Sequence, residues 1–213
     1  GVFGDIALNR DDARFEHTTR RPVDPKKGSV HCDSERRPVS RRGFDRVHRS
    51  ACMLVALSDT HGREDAHLTS RLEEVLRTAD TIVHAGDFMT ADVLDAFETY
   101  GPIEGVSGNN DTPVVCDRVS TDRIVEWEGL RIAVVHGHEH TDTALSMFGR
   151  QASADLVVVG HSHAPEFRDG IVPMLNPGSH ADPRWNRPSH AELEWDAHEN
   201  RARGRLVEPA GTT

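Results

Sequence analysis

Five short apolar runs in this chain each lead into a cluster of metal-type side chains, and the order of those clusters limits the fold more than any other feature. Met53 to Leu57 leads into Asp59-Thr60-His61, and Ile82 to Ala85 into Gly86-Asp87. The weaker run Ile103 to Val106 leads into Gly108-Asn109-Asn110-Asp111. Ile132 to Val135 precedes His136-Gly137-His138, and Leu156 to Val159 precedes Gly160-His161-Ser162-His163. A buried strand that ends in a ligand-bearing loop, repeated five times, sets the ligands along one edge of a sheet. Binding sites of open α/β sheets lie at such carboxyl ends. Taken singly, the clusters say little. Asp-x-His is usually a surface turn, and Gly-Asp or Gly-Asn-Asn-Asp reads as a turn by composition. Their common placement singles them out.

Between the clusters the hydrophobic period alternates. Residues 64–78 read as a helix, with Leu68, Leu72, Val75 and Leu76 on one face. Thr81 to Ala85 is a second strand, and Thr90 to Tyr100 a helix with Thr90 as N-cap and Gly101-Pro102 as stop. Ile103 to Val106 follows as a strand. Ile124 to Trp127 and Leu130 to Val135 flank a hairpin turn at Glu128-Gly129. Thr141 to Gln151 is helical; Leu156 to Val159, Ile171 to Leu175, Ala191 to Trp195 and Ala202 to Val207 are strands. The early β-α-β-α-β order predicts a parallel sheet, and the later hairpins a second, mixed or antiparallel one.

Charge divides the chain. Residues 1–52 hold 12 Lys+Arg against 8 Asp+Glu, whereas residues 53–213 hold 13 against 27 and no lysine. The first segment carries arginine pairs and few apolar residues. It offers little area to offset ordering entropy and reads as a disordered extension ahead of a domain spanning 53–213. The acidic, lysine-free part is a poor footprint for a nucleic-acid duplex. It suits high ionic strength, where self-repulsion is screened, or a GC-rich genome that favours Arg over Lys. No apolar run is long enough for a membrane span, and the N-terminus lacks a signal-peptide core. Cys32, Cys52 and Cys116 are scattered, without a disulfide or zinc spacing, which fits a reducing cytoplasmic setting. A homo-oligomer is compatible with this composition.

The ligand types narrow the chemistry. Carboxylate, imidazole and amide donors together suit borderline divalent metals such as manganese, iron, zinc or nickel. Seven donors, Asp59, His61, Asp87, Asn109, His136, His161 and His163, exceed what one tetrahedral ion takes and suffice for two ions sharing a carboxylate. Two such ions can activate a water and clamp both sides of a displacement at phosphorus.

This series, with Asn176-Pro177-Gly178-Ser179 after the last His pair, resembles the calcineurin-like metallophosphoesterase superfamily over roughly Met53 to Val207. In its compactness it is similar to the small phosphodiesterases of that superfamily, relatives of the retromer subunit Vps29. The resemblance implies an α/β fold, a four-layer αββα sandwich of two mixed sheets flanked by helices. It also implies hydrolysis of a small-molecule phosphoester, a phosphodiester first, by attack of a metal-bridging hydroxide. By motif, Asp59, His61 and His163 would hold one divalent ion and Asn109, His136 and His161 the other, with Asp87 bridging. Manganese is expected first, with nickel, iron, zinc or magnesium as alternatives. Asp87, Asn109 and His138 would carry catalytic roles, His138 as proton donor or phosphate ligand. Phosphomonoesterases of the superfamily often have His where this chain has Asn110, and an amide is no general acid. A non-catalytic Vps29-like binding scaffold is the rival reading. A scaffold is free to lose ligands, and all seven positions here hold competent ones.

Of the remaining side chains, His84 and His180 match no motif position and are assigned no role, although either could line the pocket; Asp111 is expected to orient the Asn109 loop. Trp127, Trp185 and Trp195 are expected to pack between sheets and helices.

Overall fold

Residues 2–9 and 51–208 are described by the computed structural model of the chain. Short, β-branched apolar runs pair where they were expected to. β2 (Ala51–Leu57), β3 (Thr81–His84) and β4 (Ile103–Gly105) lie side by side in parallel. α1 (Ser70–Thr78) and α2 (Ala91–Glu98) make the crossovers. β10 (His190–Asp196) and β11 (Arg201–Val207) extend this sheet antiparallel beyond β2, and β1 (Val2–Asn9) pairs with β11 at the edge. The order is β1-β11-β10-β2-β3-β4. The second sheet holds β5 (Asp122–Trp127), β6 (Leu130–Val135), β7 (Leu156–Val159), β8 (Glu166–Arg168) and β9 (Met174–Asn176), in the order β5-β6-β7-β9-β8. β6, β7 and β9 are parallel, with an antiparallel strand at each side.

Strand alternation then builds the layers. Leu54 and Ala56 turn inward and meet Ile132, Val134, Leu156 and Val158 across the seam between the sheets. Val55 and Leu57 turn outward against Leu72, Leu76, Leu94 and Phe97 of α1 and α2. Beyond the other sheet, Ala133, Val135 and Val157 pack with Leu145 of α4 (Asp142–Gln151). The result is the four-layer αββα sandwich of two mixed sheets. Each fully buried aliphatic side chain contributes roughly 1.5–3 kcal/mol.

Several elements depart from the expectation. The β10–β11 hairpin joins the first sheet rather than the second, because Ala191 to Asp196 find a free edge on β2. α1 starts at Ser70, not residue 64, since the Thr69 hydroxyl caps it by accepting from the Leu72 amide. A short α3 (Pro113–Arg118) follows Thr112, with proline at its first turn. Glu128 and Gly129 both take left-handed φ, 48° and 81°, as a type I′ hairpin turn requires. Trp127 and Trp195 meet edge-on in the seam, but Trp185 is fully exposed on a loop, which corrects its expected burial.

Residues 2–9 of the segment expected to be disordered form β1, and Leu8 lies in the seam. Residues 10–50, Cys32 among them, lie outside the described residues. A chain starting at Ala51 is therefore expected to melt lower. Loss of one buried leucine, about 2 kcal/mol, lowers the midpoint by roughly 4–8 °C in a domain of this size. Metal binding should not change, because β1 lies three strands from β2. Melts of the two chains check this, and equal midpoints would remove β1 from the stabilising contacts.

Candidate metal centre

Every ligand cluster sits just past a parallel strand: Asp59 and His61 past β2, Asp87 past β3, Asn109 past β4, His136 past β6, His161 and His163 past β7. The two sheets end together, so the seven side chains meet over the seam. Five of them sit on left-handed backbone: Asp59 at φ 54°, His61 at 49°, Asp87 at 60°, His161 at 69° and His163 at 58°. Asp and His enter this region more readily than most residues, yet each entry costs of order 1 kcal/mol or more. Such a concentration of strain marks a place held for a purpose other than stability.

Hydrogen bonding fixes which ring atoms face inward. His136 Nδ1 lies 2.7 Å from the Ala85 carbonyl, and His163 Nδ1 is bonded to the Asp182 carbonyl. A carbonyl only accepts, so both Nδ1 atoms carry a proton and both neutral rings present a bare Nε2 lone pair. His163 Nε2 then faces His61 Nε2 at 3.1 Å and Asp59 Oδ1 at 3.4 Å. His136 Nε2 faces Asn109 Oδ1 at 3.2 Å and Asp87 Oδ2 at 3.4 Å. Asn109 Oδ1 is also 3.1 Å from His161 Nδ1. Carboxylate, imidazole and amide ligand atoms converge here from both sheets, an arrangement that a divalent cation fits. Ligand atoms of Asp59, His61 and His163 form one tight group, and those of Asp59, Asp87 and His136 another. Asp59 belongs to both groups. Asp87 Oδ2, however, lies 3.4 Å from His61 Nε2 as well as from His136 Nε2, which puts that oxygen between the two halves.

The supporting shell explains why these side chains hold still. Asn110, expected to matter only as a missing histidine, donates to Asp87 through its backbone amide at 2.8 Å and its side chain at 2.7 Å. Asp111 accepts from the amides of Gly108 at 2.7 Å, Met89 at 2.6 Å and Asp87 at 3.2 Å, so it orients the Asn109 loop as expected. The Asp59 carboxylate accepts from the His161 amide at 3.0 Å, and Ser179 donates to the Asp59 carbonyl at 2.7 Å. Gly108 leaves no room for a side chain: a Cβ there would lie 2.1 Å from Asp87 Oδ1. His84 is fully buried under the site. It bonds Thr60 Oγ1 at 2.9 Å and stacks on Phe88, so it braces the floor instead of lining the pocket. His180 is also buried and bonds the Ala66 carbonyl at 2.8 Å. Neither role leaves a local mark in the sequence. His138 stands exposed at the rim, its ring centre 5.4 Å from that of His136 and 6.2 Å from that of His161.

The electrostatics follow. Burial holds His61 and His161 below the usual imidazole range, ready as neutral ligands. Burial works against ionised Asp87, but the His136 and Asn110 hydrogen bonds outweigh it and hold the carboxylate well below its ordinary range. Burial likewise opposes protonated His136, yet the facing Asp87 raises its value. The depressed Asp87 contributes stability above its unfolded pKa of ~3.9 that is lost as pH falls through the folded value. The raised His136 contributes stability below ~6.5 that is lost as pH rises through its folded value. In the metal-free chain the pair thus stabilises most between ~4 and ~6.5. A metal needs the same His136 lone pair unprotonated. The rise in melting midpoint produced by manganese should therefore grow from about pH 5.5 to about pH 8. Melts with manganese and with chelator across that range check it; a shift that grows toward acid would contradict the assignment.

Comparison with known proteins bears on the same residues. Residues 53–198 match the model of the calcineurin-like phosphoesterase superfamily domain. A probable metallophosphoesterase of Methanothermobacter thermautotrophicus is 33% identical over 149 residues, 68% of this chain and 86% of that protein. The phosphodiesterase MJ0936 of Methanocaldococcus jannaschii is 28% identical over 143 residues, 57% of this chain and 80% of that protein. Among solved structures, vacuolar protein sorting 29 of Cryptosporidium parvum superposes with a TM-score of 0.61 at 16% identity, covering 76% of this chain and all of that one. At that identity the likeness is one of fold.

Proposed function

Because this chain belongs to the calcineurin-like phosphoesterase superfamily, we propose that it is a two-metal phosphodiesterase, with manganese as the first candidate metal. The observation that carries the reading is the convergence of ligand atoms around Asp87 Oδ2, 3.4 Å from an imidazole on either side. Asp59, His61 and His163 would hold one ion, Asn109, His136 and His161 the other, and Asp87 both. Bound there, the ions would supply Lewis acidity to activate water and to neutralise charge on the phosphoryl oxygens.

The chain's own residues supply orientation. His136 and His163 are locked by carbonyls of Ala85 and Asp182, so their rings cannot turn away. Asn110 is engaged with Asp87 by both of its donors, which leaves no general acid at that position. The proton for a departing alkoxide would come from His138, the ring at the rim. A diester with a good leaving group suits that arrangement better than a monoester, and the relative named as a phosphodiesterase agrees. The scaffold reading is weakened by the complete ligand set.

Elemental analysis after manganese loading, paired with turnover of a panel of phosphodiesters and monoesters, tests this. About two equivalents of metal and preferential diester cleavage are expected. One equivalent or fewer at saturation would overturn the two-metal centre, and absence of turnover with two bound would favour the scaffold.

A further inference from the structure

Resting on that reading, we infer that the cavity beside His161 is a subsite for one neutral ring on an ester arm of the substrate. A cavity of about 150 Å³ opens next to this ligand, between the carboxyl end of β7 and the start of α4. Leu145, Val159 and Met174 line it with apolar surface, and Ser162 and His140 add polar groups. A void of this size takes a single six-membered ring. A phosphoryl group held at His161 would direct one ester arm toward it.

The wall also selects by charge. Arg168 lines the cavity, but its cation is not available to a ligand. Its Nε and one terminal nitrogen bond Glu166 at 3.2 and 2.8 Å, and the other terminal nitrogen bonds Asp142 at 2.8 Å. All three side chains face the cavity. Two carboxylates against one guanidinium leave the wall negative by one charge. A hydroxyl-bearing or aromatic ring is accepted, whereas an arm ending in a second phosphate or a carboxylate is repelled.

Phosphonates separate this subsite from the metal centre. Calorimetric titration of the manganese-loaded full chain with methylphosphonate reads the centre alone, and phenylphosphonate adds the ring. Phenylphosphonate is expected to bind at least about tenfold tighter, from the apolar area it buries. Leu145→Trp fills the cavity and should remove that preference. A ring carboxylate, in 4-carboxyphenylphosphonate, should weaken binding to the unmodified chain by about tenfold relative to phenylphosphonate. The surface pair Asp142→Asn with Glu166→Gln frees Arg168 and should turn that penalty into a preference, independently of the Leu145 variant. Equal affinity for the methyl and phenyl ligands, or indifference to the ring carboxylate, would overturn the subsite while leaving the metal centre standing. Failure of methylphosphonate to bind at all would overturn the metal-centred reading and the subsite with it.

Discussion

Asp87→Asn is expected to lower phosphodiester turnover by more than about 100-fold, beyond what loss of a supporting partner of a metal ligand typically costs. The substitution is nearly isosteric. The amide oxygen can still accept from the Asn110 backbone, so the loop should keep its shape. What goes is the negative charge between His61 and His136, and an NH2 group takes the place of one acceptor. Metal content should fall from about two equivalents toward one, because the remaining donors still complete one half of the site. Turnover, elemental analysis and a thermal melt on the same preparation check the three parts. Wild-type turnover in a folded Asn variant would show that Asp87 does not bridge.

Gly108→Ala should be nearly as damaging by a different route. The added methyl would lie 2.1 Å from Asp87 Oδ1 and 2.6 Å from the Asp87 amide nitrogen, so backbone and ligand must both move. Overpacking of this kind costs typically ~1–3 kcal/mol, and the strained loops nearby leave little room to relax. Metal affinity and turnover should drop together, with a fall of roughly 2–12 °C in the metal-free midpoint. An alanine variant with full metal content would mean that the Asn109 loop is looser than its hydrogen bonds to Asp111 suggest. Where Asp87→Asn keeps the fold and loses the charge, Gly108→Ala keeps the charge and loses its position.

The parts of this molecule that could be read from the chain alone are those written locally. An apolar run followed within two residues by Asp or His declares both a strand and a ligand at four of the five runs, the fifth leading to Asn109 three residues on, and all five meet at one edge. The parts that could not be read depend on what lies across space. β1 and β8 are strands by virtue of a partner, β11 or β9, that nothing in their own residues names. Trp185 is apolar in type and exposed in fact, since a Pro-rich loop carries it past the core. Asn110 reads as an absent acid, and only the fold reveals that its two donors hold Asp87. His84 carries no pattern at all; its work depends on Thr60 lying 2.9 Å away after the sheet has formed. The left-handed backbone at five ligands is equally silent in the sequence, because Asp and His are common in ordinary turns.

One consequence of the shared seam concerns mechanics. Apolar packing between two sheets sets their spacing but, being non-directional, resists sliding only weakly. The directional ties across the seam gather at the carboxyl ends: Asp59 of one sheet takes the His161 amide of the other, and His136 reaches back to Ala85. Ions held by Asp59, His61, Asp87 and Asn109 on one side and His136, His161 and His163 on the other would bolt the layers together at that end. Chelation would then act as removal of a pin. Each sheet would keep its own ladder while the two gained freedom to shear, most at the ligand loops and least toward the distant β1 edge.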